Sequence, residues 1–420
     1  MVFRALKYRN FRIFFMGQSV SLIGTWMQYV AMSWLVYRMT NSALMLGVVG
    51  FSSQIPAFIL APFTGVLADR HNRYKILVVT QALAMLQAFI LAFLTLTGHI
   101  AVWHIIVLGI FLGCINSLDI PARQSFILQM IEDKGDLGNA IALNSMMFNV
   151  ARLIGPSVAG VLIAITGEGA CFLINAISYL AVIASLLAMD QAVKIGKDRA
   201  KDYDIFKDLK EGFNYAFGFQ PIRAILLLLG IISLMGMSYA VLMPVFARDV
   251  MGGGPHTLGF LMAAVGLGAL GGTVYLASKK RVAALGNLLP VSAGVFGLGI
   301  TAFSFSHNIW ISLPLLFVSG FGIMVQMALS NTILQTIVDD DKRGRVMSFY
   351  TMAFMGMAPL GSLLAGSMAI RFGAGNTLTI SGMCCIIASV IFARKVSFLR
   401  KTVQPIYVKM GIVSEIEMKG

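Results

Sequence analysis

Twelve apolar stretches constrain the fold of this chain more than any other feature of its sequence. A helix needs about 20 mostly apolar residues to cross the hydrocarbon core of a membrane. Stretches of that length lie at approximately 13–37, 43–67, 75–97, 101–124, 140–166, 170–189, 222–247, 256–278, 286–306, 309–335, 346–370 and 375–393. Of the 420 residues, 58% are hydrophobic and 12% charged, whereas soluble domains average roughly 45–50% and 25%. The sequence therefore predicts an all-α membrane protein with twelve transmembrane helices in a lipid bilayer.

The net charge of +14 is explained by its placement along the chain. With the N-terminus in the cytoplasm, 28 of the 32 Lys and Arg residues fall on one side of the membrane. Arg38, Arg248 and Arg371 fall on the other side, and Arg152 falls within the membrane. This is the positive-inside pattern. It predicts cytoplasmic N- and C-termini and a basic rim against lipid headgroups, and it argues against a nucleic-acid partner.

The chain divides into two halves that resemble each other. A shift of 206 residues pairs Gln129 with Gln335 and Gly155 with Gly361 without a gap. The sequence predicts an N-terminal six-helix bundle (1–190), a cytoplasmic linker with an amphipathic helix (191–221), a C-terminal six-helix bundle (222–394) and a cytoplasmic tail (395–420). Parallel repeats of this kind are a plan of secondary transporters.

The loop after the second apolar stretch, "GVLADRHNRYK", concentrates charges between two helix ends. It resembles the signature loop of the major facilitator superfamily, in which a glycine and an acid precede several cations. The matching positions are Gly65, Leu67, Ala68, Asp69, Arg70 and Arg73, while Asn72 stands where the family has glycine. The resemblance implies the major facilitator fold, two six-helix pseudo-symmetric halves that expose a central site alternately to each side.

The fifth stretch contains "GPSVAG", which resembles the antiporter signature of drug-exporting members. Gly155, Pro156 and Gly160 match, with Ala151 and Ala159 in place of two glycines. Small residues four apart let another helix approach closely. A comparable ridge in the eighth stretch consists of Ala264, Gly268 and Gly272. The resemblance implies that the fifth and eighth helices meet between the halves; ordinary small-residue packing is the alternative.

A third stretch, "NSLDIPARQSFILQMI", is similar to the drug:proton antiporter branch that contains the bacterial transmembrane secretion effectors. Enterobactin exporters and macrolide-efflux proteins belong to that branch. Asp119, Pro121, Arg123 and Arg152 carry this resemblance. It implies a bacterial inner-membrane location and does not identify a substrate.

Asp119 and Arg152 are ionisable residues within predicted spans, where burial costs at least ~2.5 kcal/mol. Asp119 lies near the cytoplasmic end of its helix, at a depth that suits an ion pair with Arg70 or Arg73. A gating latch between the halves, a proton carrier and a structural cap remain open for it. Arg152 lies roughly 18 Å along its helix, close to the midplane. Its repeat partner is Ala358, so symmetry does not require the charge.

Guanidinium does not release its proton in proteins, so Arg152 is expected to contact cargo or tune an acid; satisfaction by Asn144, Asn149 or backbone carbonyls is the alternative. Polar side chains at helical spacing on the first, fourth, fifth, seventh and tenth stretches are expected to line the substrate cavity. They are Gln18, Thr25, Tyr29, Asn116, Asn149, Tyr239, Gln326 and Asn331.

These features predict a proton-coupled secondary exporter of a bulky amphipathic small molecule, such as a drug or a siderophore-like metabolite, working as a monomer. A lipid or lysophospholipid transporter is the alternative within the same class, and a non-transporting sensor or scaffold is the alternative outside it. No nucleophile–His pair or metal cluster is recognisable at membrane depth, so we expect no enzyme activity, cofactor or metal. The four cysteines lie in predicted helices and are read as small buried residues.

Overall fold

The computed structural model describes residues 3–190, 205–237, 239–278, 285–339 and 342–409, and the regular secondary structure of this part is entirely helical. Apolar spans favour this because every backbone polar group in lipid must be satisfied within its own segment. The first six long helices are α1 (Arg9–Thr40), α2 (Ala43–Arg70), α3 (Arg73–Leu96), α4 (Val102–Gln129), α5 (Leu137–Thr166) and α6 (Glu168–Leu187).

Polar residues that cap the helix ends separate these helices. Asn41 ends α1 in the left-handed conformation, and the Ser42 side chain accepts a hydrogen bond from the Met45 backbone at the start of α2. Asn72 accepts from two backbone N–H groups at the start of α3. Its role as an N-cap explains how an asparagine serves at the position where the superfamily loop has glycine.

The remaining helices are α7 (Ile205–Gly218), α8 (Gln220–Ile231), α9 (Tyr239–Val245), α10 (Pro255–Ala277), α11 (Leu285–Ser304), α12 (Ile309–Ile337), α13 (Arg343–Thr351) and α14 (Met357–Lys409). Single π-helical turns at Ile232–Gly236, Phe246–Val250 and Met352–Gly356 extend α8, α9 and α13. Within α14, Gly373 has φ 82° and ψ 159°, so two helices meet there.

Ten helical stretches of the described residues are long and apolar enough to cross a membrane. The first predicted span, α1, is 32 residues long but is not among them, and the last stretch runs from Arg343 to Val408 across the break at Gly373. The predicted tail (395–420) is helical as far as Lys409, and residues 410–420 lie outside the described part.

One compact unit consists of Met1–Tyr203 together with Met243–Ala263. Here α1 packs on α5 and α6, α2 on α4, and α3 on α6. A chain of buried amides crosses its interior: Asn175 Nδ2 donates to Gln28 Oε1 at 2.8 Å, and Gln28 Nε2 donates to Gln87 Oε1 at 3.1 Å. Gly24 makes room for this chain, since a Cβ there would lie 2.6 Å from Asn175 Oδ1.

The other compact unit consists of Asp204–Leu242 and Ala264–Gly420. In it α11 packs on α12 and α14. The predicted amphipathic helix is present as α7 and contacts α13: the Phe213 and Phe217 rings stack at 4.5 Å, with Phe349 against both. Arg345 Nη1 lies 2.7 Å from Glu211 Oε2. Residues 191–204 of the predicted linker lie outside the described part.

The two units repeat one polar cluster of a tyrosine, an aspartate and a lysine. In the first, Tyr8 Oη donates to Asp136 Oδ2 at 3.1 Å, and Lys7 Nζ lies 2.6 Å from the same carboxylate. In the second, Tyr215 Oη donates to Asp339 Oδ2 at 3.1 Å, and Lys342 Nζ lies 4.6 Å above the Tyr215 ring. The first cluster connects the residues before α1 to the residues before α5, and the second connects α7 to the residues before α13.

Candidate functional site

The Gly155 position of α5 is a close helix crossing with α1. A Cβ at Gly155 would lie 2.4 Å from Trp26 Cβ and 2.9 Å from the Ile23 carbonyl oxygen. Ala151, one turn earlier on the same ridge, is buried with Leu22 and Met147. The small-residue ridge of α5 therefore brings α1 close enough for the Trp26 side chain to reach the neighbourhood of Arg152.

Arg152 lies on this crossing with its guanidinium carbon 5.6 Å from the Trp26 ring centroid. Two further rings meet Trp26 edge to face: Phe148 at 5.7 Å and Tyr29 at 5.9 Å. A guanidinium over an aromatic face is stabilised by the ring quadrupole. The charge that stood out in the sequence is thus supported by an aromatic group from two helices, and its side chain is half-buried.

Gly160 forms a second close contact on α5. A Cβ there would lie 2.9 Å from the Pro255 carbonyl oxygen and 3.1 Å from Gly259 Cα. The start of α10 therefore packs directly on α5 within the first compact unit. In the eighth stretch, however, the ridge proposed from the sequence has a different neighbour: Cβ atoms at Gly268 and Gly272 would meet Phe317 and Phe321 of α12. Those two glycines serve packing within the second unit.

A polar cluster that the sequence did not predict joins Met243–Ala263 to α1. The Tyr37 hydroxyl donates to Asp249 Oδ2, and Arg248 Nη1 donates to Asn41 Oδ1 at 2.6 Å. The Arg248 guanidinium lies 5.8 Å from the Tyr37 ring. The only sequence signal was indirect, since Arg248 is one of the few cations on the minority side of the charge distribution.

Asp119 is buried between α3 and α4 with three polar partners. Its Oδ1 accepts from Thr80 Oγ1 at 2.9 Å and from Gln81 Nε2 at 2.7 Å, and its Oδ2 lies 3.4 Å from Arg123 Nε. These three donors hold the Asp119 carboxylate in a fixed position. Arg123 lies one turn after Asp119 on α4, and the ion pair between them was not predicted from the sequence.

The other residues proposed for the latch are less fully described. Gly65, Asp69 and Arg70 belong to the last turns of α2, and their side chains lie outside the described residues. Arg73 is half-buried at the first residue of α3. The pairing of Asp119 with Arg70 or Arg73 therefore stays a prediction.

Several residues proposed for the cavity are buried. The exposed fraction is 3% for Gln18, 4% for Asn149, 1% for Tyr239 and 0% for Gln326. Asn149 donates to the Ser145 carbonyl oxygen of its own helix, and Gln326 donates to Ser330. Helical spacing of polar residues marks an inner face but does not distinguish a cavity wall from a buried polar core, so a cavity role for these four residues stays a prediction.

The remaining residues proposed for the cavity are partly exposed. Thr25 donates to the Ser21 carbonyl oxygen, Tyr29 contacts Trp26, and Asn331 accepts from Gln335. Asn116 is half-buried on α4. Among the described residues no group of three or more His, Cys, Asp or Glu side chains is placed to hold a metal.

Outside the spans, the pKa values of Asp136 and Lys7 are shifted in opposite directions. The hydrogen bond from Lys7 lowers the pKa of the Asp136 carboxyl, with Tyr8 as a second donor. The same bond raises the pKa of Lys7 above its ordinary value. The pair is therefore ionised over a wider pH range than either group would be alone.

The long apolar helices, with buried polar groups on several of them, define a multi-pass membrane protein. The family model described as transmembrane secretion effector matches residues 2–403, and the chain belongs to that family, within the major facilitator superfamily. It is not an enzyme family.

Relatives of the chain include a transporter, an efflux protein and an exporter. The staphyloferrin A transporter of Staphylococcus aureus is 28% identical over 91% of this chain and 95% of its own. Macrolide efflux protein A of Streptococcus pyogenes is 22% identical over 92% and 96%. The enterobactin exporter of Citrobacter koseri is 24% identical over 94% of each.

Solved structures with the same fold are more distant in sequence. A bacterial homologue of the human lysosomal transporter Spinster, in an inward-facing and unoccupied conformation, has a TM-score of 0.68 at 13% identity, covering 96% of this chain and 98% of that one. A POT family transporter in complex with 5-aminolevulinic acid has a TM-score of 0.71 at 11% identity, covering 93% and 97%. At these identities the likeness concerns the fold.

Proposed function

We propose that this protein is a secondary exporter that carries a bulky amphipathic small molecule, a drug or a siderophore-like metabolite, out of a bacterial cell in exchange for protons. It would cross the inner membrane twelve times as a monomer, with both termini in the cytoplasm. The relatives support the export of small molecules. The break at Gly373 and the length of α1 support twelve spans over the ten that hydropathy alone identifies.

The observation that carries the proposal is the group formed by Arg152 and Trp26. A permanent cation is costly at membrane depth, and here it is half-buried beside an aromatic side chain from another helix. The repeat partner of Arg152 is Ala358, so the common architecture of the halves does not call for the charge. We assign this group to the binding of neutral or anionic cargo.

We further propose that Asp119 acts in the cytoplasmic latch of the transport cycle. Its bonds to Thr80 and Gln81 fix α3 to α4, about two helical turns along α3 from Arg73. A fixed carboxylate at this end supports a gating role, in which the loop cations exchange partners as the protein opens and closes.

Transport into inside-out vesicles tests the proposal. Vesicles from cells that lack their main efflux pumps are energised with a proton gradient and screened with macrolides, siderophores and dyes. We expect accumulation of at least one compound, together with proton release from the vesicles, and loss of both when the gradient is collapsed. Accumulation without proton movement would reject the proton coupling, and selective uptake of labelled lysophospholipid would replace the proposed cargo with lipid.

Arg152→Gln gives the site-specific arm of the same test. The variant keeps a polar side chain and removes the charge, so the protein should insert and fold while export falls at least tenfold. Arg371→Gln is the matched control, because Arg371 is an exposed cation on α14 of the other unit. Equal transport by both variants would remove Arg152 from the site.

A further inference from the structure

Two exposed stripes with different chemistry run along α5. Successive residues turn by about 100° in an α-helix, so residues spaced by three and four share a face. One stripe consists of Ile141, Ser145, Phe148 and Arg152, in which Ile141 is 51% and Phe148 44% exposed. The other stripe consists of Ile154, Val158, Val161 and Ile165, with exposed fractions from 37% to 74%.

The composition of the two stripes distinguishes a lipid-facing surface from a surface that faces a polar interior. The second stripe is entirely aliphatic, as a lipid-facing surface should be, and its residues lie about 120–180° around the helix from Arg152. The first stripe contains a hydroxyl and a guanidinium, which lipid would penalise. It ends where Gly155 and Gly160 are buried against α1 and the start of α10. Arg152 and Phe148 therefore form the inner end of the polar stripe.

The ring geometry at that end suits a flat ligand. Phe148 meets Trp26 edge to face at 5.7 Å. Phe148 remains 44% exposed despite this contact. Arg152 is one helical turn from Phe148, a separation that puts side chains about 5–6 Å apart. An exposed ring and a guanidinium this close can contact one small molecule together.

Charge and shape then restrict the class of ligand. The guanidinium presents a planar fork of donors that matches a carboxylate in two parallel hydrogen bonds. Its permanent charge repels cationic compounds. Ring stacking favours an offset or edge-to-face aromatic partner. Resting on the proposed export function, we infer that the preferred cargo of this site is an aromatic carboxylate or a similar planar aryl anion, bound between Arg152 and Phe148.

Three matched probes separate charge from ring. Naphthalene-2-carboxylate has both features, naphthalene-2-carboxamide lacks the charge, and cyclohexanecarboxylate lacks the aromatic ring. Binding is measured by titration calorimetry on the purified full chain in lipid nanodiscs. We expect the naphthoate to bind at least tenfold more tightly than either analogue.

Variants then assign each preference to a side chain. Arg152→Gln should abolish the preference for naphthoate over the amide, and Arg152→Lys, which keeps the charge without the planar fork, should retain part of it. Phe148→Leu should reduce the preference for naphthoate over cyclohexanecarboxylate and leave the charge preference intact. Val158→Leu, on the aliphatic stripe, should change neither. Thermal unfolding of each variant verifies that it is folded.

The outcomes distinguish this inference from the export function. Equal binding of the three probes to the unmodified protein, no binding of any of them, or an undiminished charge preference in folded Arg152→Gln would overturn the inference. If vesicles nevertheless export neutral compounds, the exporter stands and only the ligand class falls. If vesicles export nothing while the naphthoate binds as expected, the site stands and the transport proposal fails.

Discussion

Replacing Gly155 with alanine tests the close crossing that supports Arg152. The new Cβ would lie 2.4 Å from Trp26 Cβ and 2.9 Å from the Ile23 carbonyl oxygen, while carbon atoms in contact prefer about 3.5–4.0 Å. The helices must separate by roughly 1 Å to relieve this overlap. Overpacking of this kind costs about 1–3 kcal/mol, and the alanine regains about 0.5–1 kcal/mol of helix stability.

The control is Gly138→Ala on the same helix, where a Cβ meets no other atom within 4 Å. Gly138 is the second residue of α5, so its substitution gains at most about 0.5–1 kcal/mol, and Gly155→Ala should be less stable than Gly138→Ala by up to about 1–3 kcal/mol. At about 2–4 °C per kcal/mol for a unit of this size, the difference in unfolding midpoint is roughly 2–12 °C. Gly361→Ala, whose Cβ would lie 2.1 Å from the Leu234 carbonyl oxygen, should behave like Gly155→Ala.

The assay is thermal unfolding of detergent-solubilised protein followed by size-exclusion fluorescence, with Trp emission recorded for each folded variant. Only Gly155→Ala should also shift the Trp spectrum, because it moves α1 and α5 apart at Trp26. A Gly155→Ala protein that unfolds at or above the midpoint of Gly138→Ala, with unchanged Trp emission, would refute the argument that this glycine sets the helix separation.

Three further predictions concern polar groups. Asp119→Asn leaves a neutral amide among three donors and should lower stability by about 1–3 kcal/mol and slow the transport cycle more than substrate binding; unchanged transport rates would remove the latch role. The pKa of Asp136 is lowered in the folded protein, so its contribution to stability is present above pH 3.8 and is lost as the pH falls through the folded pKa. The pKa of Lys7 is raised, so its contribution is present below pH 10.5 and is lost as the pH rises through the folded pKa. Unfolding midpoints of Lys7→Met across pH should therefore fall below those of the unmodified protein between these limits, and parallel pH profiles would contradict the pairing. Tyr37→Phe removes a hydrogen bond to the Asp249 carboxylate, worth about 1.5–3 kcal/mol, and should speed hydrogen exchange in the segment that contains Asp249; equal exchange rates would show that the bond does not hold that segment.

Much of the helical framework was predictable because membrane spans must be long, apolar and internally hydrogen-bonded. The amphipathic helix before α8 was also predictable from its spacing, although its contact with α13 was not. Hydropathy says where a segment is apolar and nothing about which neighbour it meets. For this reason the glycines at 268 and 272 were assigned to a partner other than the Phe317 and Phe321 backbone that they contact.

The polar interior was harder to predict for a related reason. Gln28 and Asn175 are 147 positions apart, and each alone is a polar residue on an apolar helix. Their hydrogen bond exists because three helices converge at one depth, which periodicity within a single helix does not encode. The same holds for Tyr37 and Asp249, which are separated by 212 positions.

Comparison of the two repeats separates packing from chemistry in α5. Gly155 and its partner Gly361 make the same kind of contact, each against a backbone carbonyl oxygen of the first long segment in its unit, Ile23 and Leu234 respectively. Arg152, by contrast, corresponds to Ala358. Since a close helix crossing is kept in both halves while the cation is present in one, the glycine is explained by architecture and the arginine is not. Placing a charged side chain within the membrane is costly, and where the fold does not require it, a role in contacting cargo or a coupled charge is expected. The ligand-binding test therefore belongs at Arg152 and the unfolding test at Gly155.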